Sequence, residues 1–214
     1  MRHFSELSPS ALRVVDAAED LLQHRGYNGF SYDDVAALVG IKKPSIHHHF
    51  PRKEDLVASV TQRYSFRLRA KLLEIEGRTG DPYERLVAYG GLFEEIFASG
   101  GKLCLGGMLG AQSESLPESV MAEVKEFFRI NVRWLRAMVT EGQEAGIFRT
   151  DSPAECLAEV LLCALEGSMV VGRTLRCARG PAEVGRTVLA GFRLPAAEGK
   201  RSARVARELE PESP

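Results

Sequence analysis

Apolar residues recur at helical spacing along almost the whole chain, and Gly or Pro interrupts them so as to mark out nine predicted helices and no strand. Each boundary has a local physical reason. Ser8 caps a helix that opens on Pro9, carries Leu12, Val15, Ala18 and Leu22 as its apolar stripe and ends at Gly26. Ser31, followed three residues later by Asp34, forms a capping-box pair for a second helix. In it Val35, Leu38 and Val39 share a face before Gly40 ends the run in the conformation glycine adopts most cheaply. Pro44 is tolerated only in a first turn, so a third, short helix starts beside it and buries Ile46 and Phe50.

Downstream, a long fourth helix runs from about Arg52 to Ile75, stopped by Gly77 and Gly80. Asp81-Pro82, Leu116-Pro117, Ser152-Pro153 and Pro181 open the fifth, seventh, eighth and ninth, each placing proline where its missing N–H costs nothing. The fifth closes at Gly100-Gly101, the seventh at Gly142 or Gly146, the eighth near Cys177 and the ninth near Leu194. A Gly-broken sixth covers Leu103 to Gln112. The predicted fold class is all-α. Its expected domains are a three-helix unit over 1–51, a larger helical unit over 52–194 with the helix at 52–75 as the link, and a disordered, Pro-rich and charged tail over 195–214.

Two short helices joined by a tight turn containing Gly40 make a helix-turn-helix, whose second helix enters the major groove of duplex DNA. Ala36, Gly40 and Ile46 stand where such a motif needs a small residue, a turn glycine and a buried apolar residue. His47, His48, His49 and Phe50, then Arg52, Lys53 and Glu54, complete a run that resembles the tetracycline-repressor (TetR/AcrR) family over roughly the first 60 residues. Beyond them the resemblance is one of length and helical layout. It implies a homodimeric transcriptional repressor that holds a palindromic operator in double-stranded DNA and is released by a small-molecule effector. It also assigns phosphate contacts to the positions of His47, His48 and Lys53. Three positions depart from the family pattern: Lys42 for a Ser or Thr cap, His47 for a Tyr, and Arg52 for a Ser or Asn cap.

Read from the residues themselves, the start of the second helix of the motif puts Lys42, Lys43, Ser45 and His47 toward base edges, with Lys able to donate to guanine. Ser31, His48 and Lys53 are placed for the phosphate backbone. The net charge of −1 at first argues against a nucleic-acid partner. Resolved along the chain, residues 42–71 carry +6 and residues 72–172 carry −8, a basic stripe on an acidic body. Consecutive helical side chains point about 100° apart, so His47-His48-His49 does not form a metal site, and no metal or cofactor is expected.

The larger unit is assigned two tasks. Tyr89, Phe93, Phe97, Met108, Phe127, Trp134 and Met138 are candidates to line a largely apolar effector cavity, with Cys104 beside them. Leu157, Leu161, Ala164, Leu165 and Ser168, with Val184, Val188 and Phe192, are candidates for a four-helix dimer interface. Effector binding would act through the fourth helix as a lever. Among the four cysteines, Cys104 stands apart, between Lys102 and a Gly-rich segment, where a nearby Lys lowers a thiol's pKa. An alternative is therefore a thiol-based redox or electrophile sensor acting through Cys104, and a second is a helical binding module without DNA function. No nucleophile-elbow, phosphate-loop or paired-carboxylate pattern points to an enzyme. With 44% hydrophobic and 27% charged residues, no run of 18 apolar residues and no signal-peptide start, the chain is expected in the cytoplasm, without a membrane partner.

Overall fold

The computed structural model describes residues 4–176 and 179–194. Among them the chain forms nine α-helices: α1 (Pro9–Arg25), α2 (Tyr32–Val39), α3 (Lys43–His49), α4 (Lys53–Arg78), α5 (Pro82–Ala98), α6 (Leu105–Gly110), α7 (Glu118–Glu144), α8 (Ala154–Leu175) and α9 (Pro181–Phe192). The expected tail over 195–214 and Cys177 lie outside the described residues.

The local signals act as their chemistry dictates. Ser8 Oγ accepts from the Ala11 N–H at the start of α1. Ser31 and Asp34 form a complete capping box at α2, which ends at Gly40 with φ 73°. Neither Lys42 at α3 nor Arg52 at α4 provides a side-chain cap, as their departure from the family pattern implies. Two expectations change. The fourth helix continues through Gly77 to Arg78 and stops only where Thr79 turns extended, because a glycine one residue from a helix end costs little. Leu38 is 58% exposed rather than sharing the buried face of Val35, because α2 is too short for α1 to cover more than one side.

Buried apolar residues fall into two clusters. The first packs α1 to α3 against Leu56, Val57 and Val60 of α4, and is completed by Leu105 and Leu109 of α6 and Val120 and Val124 of α7. The second gathers the distal half of α4 with α5, α7, α8 and α9 around Tyr89, Leu135, Leu161 and Leu165. The helix-turn-helix unit thus closes its core with residues from the larger one. A short antiparallel bridge between Phe148 and Arg193 fastens the end of α9 to the α7–α8 turn.

Helix α6 sits between the clusters at very short range. A Cβ at Gly106 would lie 2.2 Å from the Phe127 ring, and one at Gly107 would lie 2.3 Å from the Glu166 carboxylate. The glycines that make α6 look broken in sequence are what allow α7 and α8 to approach it.

Candidate nucleic-acid interface and cavity

Ile46 is fully buried and Phe50 nearly so, which presses one side of α3 into the first core. The opposite side presents Lys42, Lys43, Ser45, His47 and His48 to solvent, gathering these predicted base-edge and backbone residues on one surface. Tyr32 OH donates to the Phe50 carbonyl at 2.8 Å and so fixes α2 against the end of α3. Lys43 Nζ reaches Asp33 at 2.8 Å, and the His47 ring meets the edge of Tyr32 with centroids 4.8 Å apart. His49 reaches Ser10 Oγ at 3.0 Å and its ring meets that of His48 edge-on with centroids 5.4 Å apart, while His47 lies against Tyr32. Lys42 has no side-chain partner among the described residues.

Lys53 is placed differently from its expected role. Its ammonium turns inward, donating to the carbonyls of Tyr27 and Phe30 and lying over both rings at 4.8 and 4.1 Å from their centroids. Burial lowers its pKa, with Asp34 partly opposing. Lys53 therefore clamps the α1–α2 connection, and Arg52 grips Asp55 at 2.9 Å together with Glu54.

The rest of the basic stripe also has another use. Arg63 pairs with Asp16 and Arg67 with Glu19, both acids on α1, while Arg69 pairs with Glu126 at 3.0 Å and Lys71 with Glu74 at 3.4 Å. Arg63 and Arg67 thus bind the two units together, while Arg69 ties α4 to α7 and Lys71 pairs within α4. More ties hold α1: Lys102 to Asp20 at 2.7 Å, Leu103 N–H to the Gln23 carbonyl at 3.3 Å, and Arg173 to the His24 carbonyl at 2.7 Å. The Tyr27 N–H donates to Gln112 Oε1 at 2.6 Å. The fourth helix is thus one of several links, and the segment around α6 is another.

A cavity of about 330 Å³ opens where α1, α4 and α5 meet. Its inner wall is Leu68, Leu92, Phe93, Ile96 and Phe127, with Tyr64, Cys104 and Asn131 as polar groups. Of the eight residues expected to line an effector site, Phe93, Cys104 and Phe127 line this cavity. Tyr89 is spent in the core, where its hydroxyl donates to Asn131 Oδ1 and its ring stacks on Trp134 at 5.5 Å. Phe97 packs toward Gly172, and Arg85 reaches the Met138 sulfur at 3.7 Å. Met108 rests against the second core, and Trp134 donates to Glu76 across the α4–α7 groove at 2.6 Å. Aromatic spacing marks a helix's buried side but not which part of that side is left unfilled.

At the cavity wall Cys104 is buried, and Tyr64 OH donates to its sulfur at 3.9 Å. Burial, reinforced by the Glu166 carboxylate, pushes its thiol pKa up. The expected lowering by Lys102 does not occur, because that ammonium is held by Asp20. Glu166 is a residue that sequence reasoning passed over. Its carboxyl pKa is pushed up to about 7 by burial, partly offset by a hydrogen bond from Cys104, and its Oε1 is buried without a partner. The signal was present as a single acid within the apolar run Leu161–Gly172.

On α8 and α9 the expected interface residues divide. Leu157, Leu161, Leu165 and Phe192 belong to the subunit's own core, whereas Ala164, Ser168, Val184 and Val188 are partly exposed. The outward apolar side of α8 is Val160, Val170, Val171 and Leu175, each more than half exposed. An apolar helix with two apolar sides gives no sequence cue to which one faces inward. Among the described residues no helix is long and apolar enough to cross a membrane.

A model of the family described as bacterial regulatory proteins, tetR family, matches residues 14–60. The HTH-type transcriptional repressor DhaR of Mycobacterium sp. strain GP1 is 27% identical over 164 residues, covering 76% of this chain and 82% of that protein. A TetR-family transcriptional regulator from Agrobacterium tumefaciens has a solved structure that matches with TM-score 0.80 and 33% identity, covering 86% of this chain and 98% of its own. A TetR regulator from Legionella pneumophila gives TM-score 0.79 and 27% identity, covering 88% of this chain and 100% of its own.

Proposed function

The chain belongs to the tetR family of bacterial regulatory proteins, and from that premise we propose that it is a homodimeric repressor whose hold on a palindromic operator is loosened by a small effector. The observation that carries the reading is the outward side of α3. Lys42, Lys43, Ser45, His47 and His48 stand free of the core on a helix anchored by Ile46 and Phe50. Lys42, Lys43, Ser45 and His47 meet base edges, while Ser31 and His48 meet phosphate. Lys53 acts at one remove, by holding the α1–α2 connection that positions α2 and α3.

Pairing through the exposed side of α8 would place two recognition helices on half-sites about 34 Å apart. The cavity between α1, α4 and α5 receives the effector, close to the ion pairs that bind α1 to the body. A coupling of roughly 1 to 3 kcal/mol between cavity and operator lowers DNA affinity about 5- to 150-fold. The test is selection of bound fragments from a random duplex pool, followed by salt-titrated gel shifts on the winner. A palindrome with that spacing and salt-sensitive binding is expected. Absence of any salt-dependent duplex binding sinks the reading.

A second reading, addition of an electrophile to Cys104, rests on one observation: the thiol lies on the cavity wall, within reach of a molecule bound there. In that case N-ethylmaleimide releases the DNA-bound protein and Cys104→Ser prevents release. Unchanged release in the variant excludes it.

A further inference from the structure

We infer that the effector is an amphipathic anion, an apolar body ending in a carboxylate, which acts by taking Arg67 and Lys102 from their α1 partners. This rests on the reading of the cavity as the effector site. It names the chemistry of the occupant and the bonds that the occupant breaks.

The inner wall is mostly apolar and aromatic, and the side chains of Asn131 and Tyr64 in it are already engaged. The Asn131 side chain accepts from Tyr89 and donates to the Phe127 carbonyl, and Tyr64 donates to Cys104. Among the described residues no cation lies behind that wall, and Glu166 next to Cys104 is an acid, so an anionic headgroup must stay at the mouth. At the mouth three cations converge from two parts of the chain: Arg67 and Lys71 from α4, and Lys102 from the segment before α6. Two acids line the same mouth, Glu19 of α1 and Glu95 of α5. A cationic headgroup would enter beside three like charges. An anionic one finds more donors than acceptors.

The existing pairs are also built to be exchanged. Glu19 binds Arg67 through one oxygen, while its Oε2 is buried without a partner. A half-satisfied buried carboxylate is costly to keep, and leaving for solvent restores its hydration. Lys71 is drawn only loosely to Glu74, at 3.4 Å, and half its side chain is exposed. Lys102 is held by Asp20, the α1 residue next to Glu19, at 2.7 Å. A carboxylate arriving at Arg67 and Lys102 thus substitutes for Glu19 and Asp20, both of α1, with the loosely held Lys71 alongside. What it displaces is the attachment of the DNA-binding unit, and the apolar tail supplies the affinity by filling the cavity behind. The effector acts on α1 directly, without a relay along α4.

Calorimetric titration of the full chain with hexanoate, octanoate and decanoate, against octanol and octylammonium, tests this. Matching gel shifts are run on a duplex selected from a random pool. A carboxylate of this series is expected to bind about tenfold or more tightly than the alcohol or the amine and to weaken DNA binding. Arg67→Gln and Lys102→Gln should each lower carboxylate affinity about tenfold, and Glu19→Gln should raise it because the competing acid is gone. The Glu19→Gln result stands even where an Arg67 variant folds poorly, and circular dichroism separates the two cases.

Octylammonium binding as well as octanoate, no binding by any of the carboxylates, or a loss of carboxylate affinity in Glu19→Gln overturns the inference. Binding that leaves DNA affinity unchanged overturns the displacement of α1. The two levels fail separately: a chain that binds no duplex refutes the regulator reading, while one that binds duplex but ignores these anions refutes only the inference.

Discussion

Replacing Glu166 by Gln should remove a defined pH dependence from the stability of the protein. The carboxyl ionises near 7 in the folded chain because burial disfavours its charge, against an ordinary 4.5 when unfolded. Between those values the native state holds a proton that the unfolded state has released, so stability falls as pH rises through that window and levels off above about 7. At about 1.4 kcal/mol per pH unit, the loss is roughly 3 kcal/mol, fully in place by about pH 8. Gln has nearly the same shape, still accepts from the Cys104 thiol, and carries no titrating proton. The variant should therefore gain on the parent across this window by up to roughly 3 kcal/mol, or about 6 to 12 °C in melting midpoint for a chain of this size.

The assay is paired urea and thermal unfolding of both proteins from about pH 5 to 8.5 at one protomer concentration, since oligomerisation shifts midpoints. All five histidines are common to both chains, so they cancel in the difference. Parallel profiles, or a parent that gains on the variant as pH rises, would show that the Glu166 carboxyl is not held protonated by an apolar setting.

Gly106→Ala should destabilise the protein by about 1 to 3 kcal/mol, because a methyl 2.2 Å from Phe127 meets a ring braced by Tyr64 and Phe128, and the roughly 1 kcal/mol gain in helix propensity cannot offset that. Gly91→Ala, within α5 with nothing inside 4 Å, should stabilise by about 0.5 to 1 kcal/mol; equal shifts in urea unfolding would show that α6 has room to spare. Ile46→Ala empties a fully buried position at the heart of the helix-turn-helix and should cost about 2 to 5 kcal/mol; calorimetry showing less than about 1 would mean that α3 is not anchored there. Lys42→Gln should weaken operator binding and relax specificity at one position while leaving the slope of log affinity against log salt unchanged, since Lys42 is assigned to a base edge; a slope flattened by about 0.9 would place its ammonium on phosphate instead.

The helix boundaries were legible because caps and breakers act within a few residues. Ser31 and Asp34 meet across one turn, Gly40 takes its left-handed conformation from the chain immediately around it, and proline acts at its own position. The helix-turn-helix followed from them, and so did the exposed set on α3, because in a helix this short one buried Ile46 decides which way the remainder faces. The candidate cavity was only partly legible. Phe93, Cys104 and Phe127 were foreseen, whereas Tyr64, Arg67 and Lys102 become part of it through contacts with α1 and α6.

By itself the sequence determined the all-helical class, the order and most of the limits of the elements, and the presence of a DNA-reading motif, since each depends on interactions spanning a few residues. Only the tertiary structure decided what the charges do. Arg63 and Arg67 find Asp16 and Glu19 nearly fifty positions away, so a stripe that reads as a phosphate-seeking surface becomes the fastening of one unit to the other. It also decided which side of α8 faces outward, where Lys53 points, and that a single acid at Glu166 lies beside Cys104. Packing brings together residues that local sequence cannot pair, because contact across a folded chain depends on how whole helices cross rather than on how far apart their residues lie in sequence.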